Sequence, residues 1–302
     1  MADSSLTVVV AGASGHLGSA LVALLQHQGH RVRRLVRSPR PSTLEAVPWN
    51  PEAGTIDAAA LEGVDAVINL AGERIAAVRW TQAKKARIAG SRVGGTRLLA
   101  ETLAALARRP RVFLSASAVG YYGDRGAEVL TEESPPGDTY LARLCREWEA
   151  AAEPARRAGI RVVHLRTANV LDARRGFLVP LLPLFRLGLG GRLGSGRQYM
   201  PWITIDDWVQ AVGHLLTAET VDGPVNLAAP QPVTNAEFTR TLARVLGRPA
   251  FFVVPAFVLR LVMGELGREI LASQRVYPAR LLASGFTFRY PSLEEALHHL
   301  LR

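Results

Sequence analysis

Apolar residues in this chain fall into short unbroken runs that alternate with stretches of helical spacing. Leu6–Val10 is a short apolar run rich in β-branched Val, the composition of a strand buried on both faces. From Leu17 the period lengthens, and Leu17, Leu21, Leu24 and Leu25 share one face of a helix ending near Gln28–Gly29. His30–Val36 reads as a second strand, Ala46–Asn50 as a short third, Ile56–Leu61 as a helical turn and Val64–Leu70 as another buried strand. Trp80–Ala107 predicts a long helical stretch with a kink around Gly94–Gly95. Arg111–Ser115 is the next strand, Tyr140–Ala158 a helix and Ile160–Arg166 a further strand. This alternation predicts an α/β fold, with a doubly wound parallel sheet and right-handed crossovers.

After Arg166 the pattern changes. Arg174–Gly196 alternates prolines, leucines and glycines and predicts a substrate-side helix and a flexible loop. Trp202–Asp207 reads as a strand returning to the main domain, with Asp206 and Asp207 capping a helix to Thr217. Val225–Leu227 is another short strand, and Thr234 with Glu237 forms a capping box for a helix through Leu246. Pro255–Gly267 is apolar on most sides and is expected to pack on the main domain or a second subunit. Pro291, Ser292 and Glu295 open a last helix ending at Leu301. The expected organisation is a nucleotide-binding unit at 1–170 plus 201–227. A smaller, discontinuous C-terminal substrate unit takes 171–200 and 228–302, with the substrate in the cleft between them.

Composition narrows the function classes. At 302 residues and 48% hydrophobic, the chain can bury a large core. A lone cysteine, Cys145, rules out an internal disulfide and fits a reducing, cytoplasmic setting. Met1–Ser5 has no basic n-region, so no signal peptide is expected. Phe177–Phe185 and Ala250–Met263 are interrupted by proline or arginine and too short to span a bilayer, so no membrane partner is expected. The histidines show no ligand spacing, and His298–His299 reads as surface; no metal is expected. A net charge of +10 raises nucleic-acid binding, but the basic residues are almost all arginines spread over helices. A cationic cleft for a phosphorylated ligand is the better use of that charge, and no nucleic-acid partner is expected; a homodimer is compatible.

The chemistry centres on Gly12, Gly15 and Gly18, set between the first strand and its helix. That context exposes the backbone N–H groups of Gly12, Ser14, Gly15, His16, Leu17 and Gly18 at a helix N-terminus, where a pyrophosphate can sit. The second strand closes on Val36, Arg37 and Ser38, where an NAD-preferring site commonly places a carboxylate. Arg37 suits a ribose 2′-phosphate instead, so NADP(H) is the expected cofactor. Leu70, Ala71 and Gly72 follow the Val64–Leu70 strand and let a cofactor approach its end. Arg92 faces either that cofactor or solvent.

The glycine loop, NLAGE at Asn69–Glu73, SASAVGYYGD at Ser115–Asp124 and PWITIDDW at Pro201–Trp208 resemble the extended short-chain dehydrogenase/reductase superfamily. Ile68–Thr81, Leu130–Glu149, Phe185–Asp207 and Val245–Glu265 are similar to its epimerase-like branch of NADP-dependent oxidoreductases, which carries a family-specific C-terminal domain. The resemblance covers nearly the whole chain and implies a Rossmann-type fold. It also implies a proton-transferring tyrosine, a lysine four residues later on one helix face, and a substrate-orienting serine. Ser117 and Tyr140 match the serine and tyrosine, but Leu144 stands where the lysine belongs. The only lysines are Lys84 and Lys85, so no Tyr-x-x-x-Lys occurs anywhere. Tyr121 and Tyr122 are alternatives for the tyrosine, and Arg143 or Arg146 for the positive charge. In extended members the loop after the Ile160–Arg166 strand closes over the nicotinamide, which implies contacts from Ala168, Asn169 and Val170.

Three functions remain open. The first is an NADP(H)-dependent oxidoreductase acting on a small carbonyl or alcohol. The second is a sugar-nucleotide epimerase, with Arg186, Arg192 and Arg197 on a diphosphate. The third is an NADP-binding sensor without catalysis, favoured by the missing lysine.

Overall fold

The computed structural model describes residues 5–37, 45–75 and 79–302. β1 (Thr7–Ala11) leads through the glycine turn into α1 (His16–His27), β2 (Arg31–Val36), β3 (Ala46–Asn50), β4 (Thr55–Ile56) and β5 (Ala66–Asn69). α2 (Gln82–Ala89), a π-helical turn at Gly90–Gly94 and α3 (Gly95–Ala105) precede β6 (Val112–Ala118) and β7 (Val129–Leu130). α4 (Tyr140–Ala150) and α5 (Glu153–Arg157) then lead to β8 (Arg161–Thr167) and β9 (Asn169–Leu171). Eight strands form one sheet, completed by β13 (Gly223–Leu227), in the order β13-β8-β6-β5-β1-β2-β3-β4. Every neighbour pair is parallel except β3 with β4.

Helices cover both faces, as parallel strands buried on both sides require. On one face Leu21 and Leu25 of α1 pack with Trp208 and Leu215 of α7 (Ile205–Thr217) over Val8, Val10, Ile68 and Leu114. On the other, Leu99 and Leu103 of α3 and Ala155 of α5 cover Val9, Val67 and Phe113. Chain order reverses between β1 and β5, and the crevice at that switch point is where ligands of open α/β sheets bind. The expected α/β, doubly wound architecture is what the chain adopts.

The C-terminal segments build a separate core. It gathers Leu178, Leu182 and Phe185 around α6 (Leu182–Arg186), Trp202 of β12 (Trp202–Thr204), Phe238 and Leu242 of α8 (Asn235–Val245), and Leu293 and Leu297 of α12 (Leu293–Leu301). β10 (Gly191–Leu193) pairs with β15 (Phe252–Val254), β11 (Tyr199–Met200) with β14 (Val233–Thr234), and β7 with β16 (Arg275–Val276). α9 (Ala256–Met263), α10 (Glu265–Leu271) and α11 (Ala279–Ala283) complete the chain.

Several expectations change in detail. Ile56 ends β4, and only Ala59–Leu61 forms a 3-10 turn. The break in the long helix is a π-helical turn that begins at Gly90 and ends on Gly94, the first of the expected glycine pair. β12 pairs with β9 and does not join the main sheet. The cap of α7 is Thr204, whose hydroxyl accepts from the Asp207 N–H. Asp207 instead turns inward to accept from the Arg289 and Tyr290 N–H groups, and Asp206 meets His299 at 3.1 Å. The Thr234–Glu237 capping box forms as its spacing predicts.

Candidate nucleotide and catalytic site

At the switch point β1 ends in a turn that leaves no room for a side chain at its first and third glycines. A Cβ on Gly12 would lie 2.7 Å from the Leu70 carbonyl, and one on Gly18 only 2.1 Å from the Gly12 oxygen. Gly12 also has φ +77°, which a larger residue adopts only under strain. The first glycine thus lets β1 and the end of β5 close on each other, and the third seats α1 against the turn.

Beside this turn lies a cleft of about 960 Å³. Of the residues singled out in sequence, Gly12, Ser14, Gly15, Val36, Arg37, Leu70, Ala71 and Gly72 line it. Ser38 lies outside the described residues. The structure adds Arg34, Trp49 and Arg87 to the wall, so arginines from β2 and α2 converge on it. The carboxylates there are Glu52 and Glu73. Glu73 is already matched: Lys84 reaches it at 2.8 Å and Arg87 at 3.3 Å, and these bonds hold its carboxyl below the ordinary range. The wall offers positive charge near Arg37 and small residues near Ala71, which suits a phosphorylated nucleotide.

The remaining candidates sit elsewhere. His16 is held by Asp172 at 2.8 Å, Leu17 packs on the sheet core, and Gly18 lies beneath the turn. Arg92 is turned inward: Nη1 donates to the Glu73 carbonyl at 2.8 Å, and the guanidinium lies over the Trp148 ring. Its guanidinium lies against Gly72 of the cleft wall, where a Cβ would come within 3.2 Å of it. Ala168 and Val170 are core residues, and the Asn169 amide donates to the Pro201 carbonyl.

Ser117 is likewise committed. Its hydroxyl donates to Glu149 at 2.7 Å, and Arg166 grips the same carboxylate with two bonds of 2.9 Å. Arg166 also donates to the Tyr122 hydroxyl, which donates to Asn226, and its guanidinium lies 3.5 Å from the Tyr121 ring centroid. Burial would raise the Glu149 carboxyl, but the Arg166 bonds outweigh it and hold the group below its ordinary value. Burial pushes Tyr122 up to about 12, so its phenol stays protonated. Ser117, Tyr121 and Tyr122 therefore belong to one buried polar cluster joining β6, α4 and β8. Cys145 is buried, its thiol pushed up to about 12 by desolvation.

Tyr140 opens α4 behind a Thr139 cap and stands half-buried against Trp80, ring centroids 5.3 Å apart. Its hydroxyl donates to the Lys85 carbonyl at 3.3 Å, and the Lys85 ammonium lies 4.8 Å from its ring centroid. Lys85 also pairs with Glu265 of α10. A lysine does stand beside Tyr140, but from α2, over the ring and paired with Glu265, a placement no sequence spacing reveals. Burial raises the Tyr140 phenol; Arg92 opposes this, and Glu265 and Glu147 add to it.

A doubly wound parallel sheet with a glycine turn at its switch point defines a nucleotide-binding protein of the short-chain dehydrogenase/reductase type. A family model described as the NAD dependent epimerase/dehydratase family matches residues 8–228, and one described as a domain of unknown function, DUF1731, matches residues 254–300. The chain belongs to the NAD dependent epimerase/dehydratase family, in its extended, epimerase-like branch. An epimerase family protein of Mycobacterium leprae, ML0860, is 41% identical over 299 residues, covering 99% of this chain and 96% of that protein. Human epimerase family protein SDR39U1 is 37% identical over 300 residues, covering 98% and 100%. The crystal structure of human SDR39U1 (isoform 2) with NADPH matches with a TM-score of 0.89 at 36% identity, over 98% of this chain and 99% of that one. A UDP-N-acetylglucosamine 4-epimerase from Bacillus cereus, 19% identical with a TM-score of 0.75 over 99% and 100%, shares the fold.

Proposed function

We propose that the chain is an NADP(H)-dependent oxidoreductase that acts on a small carbonyl substrate in the cytoplasm. The observation that carries this reading is the cleft itself: a turn with no room for a Cβ at Gly12 or Gly18, followed by a wall where Arg34, Arg37 and Arg87 converge. Those residues fit a dinucleotide bearing an additional phosphate, and the human relative solved with NADPH supports the same reading. The backbone of Gly12–Gly15 would receive the pyrophosphate, Arg37 the 2′-phosphate, and Ala71–Gly72 would let the dinucleotide approach the sheet. When bound, the nicotinamide supplies or accepts the hydride.

Tyr140 is the proton donor in this proposal. Its raised phenol stays protonated at neutral pH, which suits donation to a carbonyl oxygen and leaves little phenolate for the reverse direction. Lys85 places a positive charge on the phenol ring from α2. Ser117, bound to Glu149, holds α4 on the sheet and thereby positions Tyr140.

A second reading, an NADP-binding sensor without turnover, is favoured by one observation. Both hydroxyls the family chemistry would use, on Ser117 and Tyr140, already have protein acceptors.

Side-by-side titration with NADPH and NADH tests the cofactor. Wild type should prefer NADPH, and Arg37→Ala should lose on the order of tenfold or more in NADPH affinity with NADH binding unchanged. Equal affinities in wild type would overturn the assignment. Turnover with a panel of carbonyl substrates then separates the enzyme from the sensor.

A further inference from the structure

Surplus charge and exposed apolar surface are concentrated in the same two segments. Residues 173–205 hold five arginines and residues 238–264 hold four, with no aspartate, glutamate or lysine in either. Together they carry nine of the formal net charge of +10, so the rest of the chain is close to neutral. Of twelve large hydrophobic side chains exposed among the described residues, ten lie in these segments. Leu187 is 73% exposed, Phe251 85%, and Phe257 and Leu261 each 69%.

The fold joins the segments. β10 and β15 run parallel with Gly191 opposite Phe252, and a Cβ on Gly188 would lie 3.5 Å from Pro249. The Gly194 N–H donates to the Val254 carbonyl, and a Cβ there would meet Ala256 at the start of α9. α9 is almost wholly apolar in sequence, yet none of its residues is buried. Val258, Leu259 and Met263 are partly covered, but Phe257, Leu261 and Val262 stand exposed, an apolar face that no described residue packs away.

We propose that this surface docks on an anionic lipid bilayer, with Phe251, Phe257, Leu187 and Leu261 entering the headgroup boundary and Arg186, Arg248 and Arg260 meeting lipid phosphates. Exposed aliphatic and aromatic side chains among arginines, with no acid within either segment and Glu294 pairing only Arg244, make the pattern of an interfacial binder. A second copy fits poorly, because a two-fold contact would set arginine against arginine with no carboxylate in either segment to neutralise them. A nucleic acid would use the arginines and leave the aliphatic residues in water. The inference is independent of the proposed reaction. It departs from the expectation of no membrane partner, which rested on the shortness of the apolar runs. Among the described residues no helix is long and apolar enough to cross a membrane, and a surface binder needs none.

Vesicle flotation with the full chain tests it, using phosphatidylcholine vesicles with and without phosphatidylglycerol. Wild type should float with the anionic vesicles and stay behind with the neutral ones. The double variant Phe257→Ser/Leu261→Ser should bind them on the order of tenfold more weakly. Arg248→Glu/Arg260→Glu should lose about fivefold or more per arginine. Thermal melts of both variants that match wild type show that the fold is intact. No flotation of wild type with anionic vesicles overturns the proposal, as does flotation indifferent to the apolar pair. A dimer in sedimentation that the apolar pair dissociates, without flotation, assigns the surface to a second copy. Tight binding to a duplex oligonucleotide that survives the apolar pair assigns it to nucleic acid.

Discussion

The chain uses arginine in two opposite ways. In the sheet half, Arg166 is 3% exposed and bidentate to Glu149, each of its charged neighbours accounted for by a hydrogen bond. In the C-terminal half, the segments around α6 and α9 have arginines and no acids, with leucine and phenylalanine standing in water. The first arrangement holds a fold together from within; in the second Arg244 pairs with Glu294, but its apolar side chains stay exposed and neither segment supplies a carboxylate of its own. Arginine-rich composition alone therefore says nothing about role; pairing does.

The largest expected effect probes the internal pair. Glu149→Gln leaves the Arg166 guanidinium buried without its counter-charge and should cost about 3 kcal/mol, read by denaturant unfolding. Because Glu149 titrates below its ordinary value in the folded chain, its stabilisation is present above the carboxylate range. It is lost as pH falls through the folded value. The gap between wild type and variant should therefore be full at neutral pH and narrow in acid; a gap constant with pH would show that the pair is not the source. Next is the seam between the halves: Tyr140→Phe should lower turnover about a hundredfold while NADPH affinity is kept. Equal loss of affinity would make Tyr140 a packing residue. The smallest effect probes the outer surface. Phe257→Ser/Leu261→Ser should change unfolding free energy by no more than about 0.5 kcal/mol, since neither side chain is packed. A large loss would mean that the two halves do not differ as described.

What the sequence makes legible follows the range of the forces involved. The sheet strands other than β4, α1 and the capping box on α8 are written locally, in apolar runs, period and cap spacing, and they stand where those signals put them. The turn at Gly12–Gly18 is equally local. Trp49 and Arg87 on the cleft wall are not, because each comes from a different segment and only the sheet order brings them to Gly12. Lys85 reaches Tyr140 across 55 positions of chain, so a search for a lysine four residues on could not find it. Ser117 sits at a strand end, as expected, but which way its hydroxyl turns depends on Glu149, 32 residues away.

Helix α4 is fastened differently at its two ends. Its last turn is pinned through Glu149, a carboxylate that its partners keep ionised. Its first turn rests on Glu269 of α10, which accepts from the Leu141 N–H and the Thr139 hydroxyl and whose carboxyl is raised by burial. The charge on Glu149 is favoured by its partners, whereas burial disfavours the charge on Glu269. The helix that carries Tyr140 thus rests on two carboxylates pushed in opposite directions, and through Glu269 its first turn is tied to the α9–α10 hairpin.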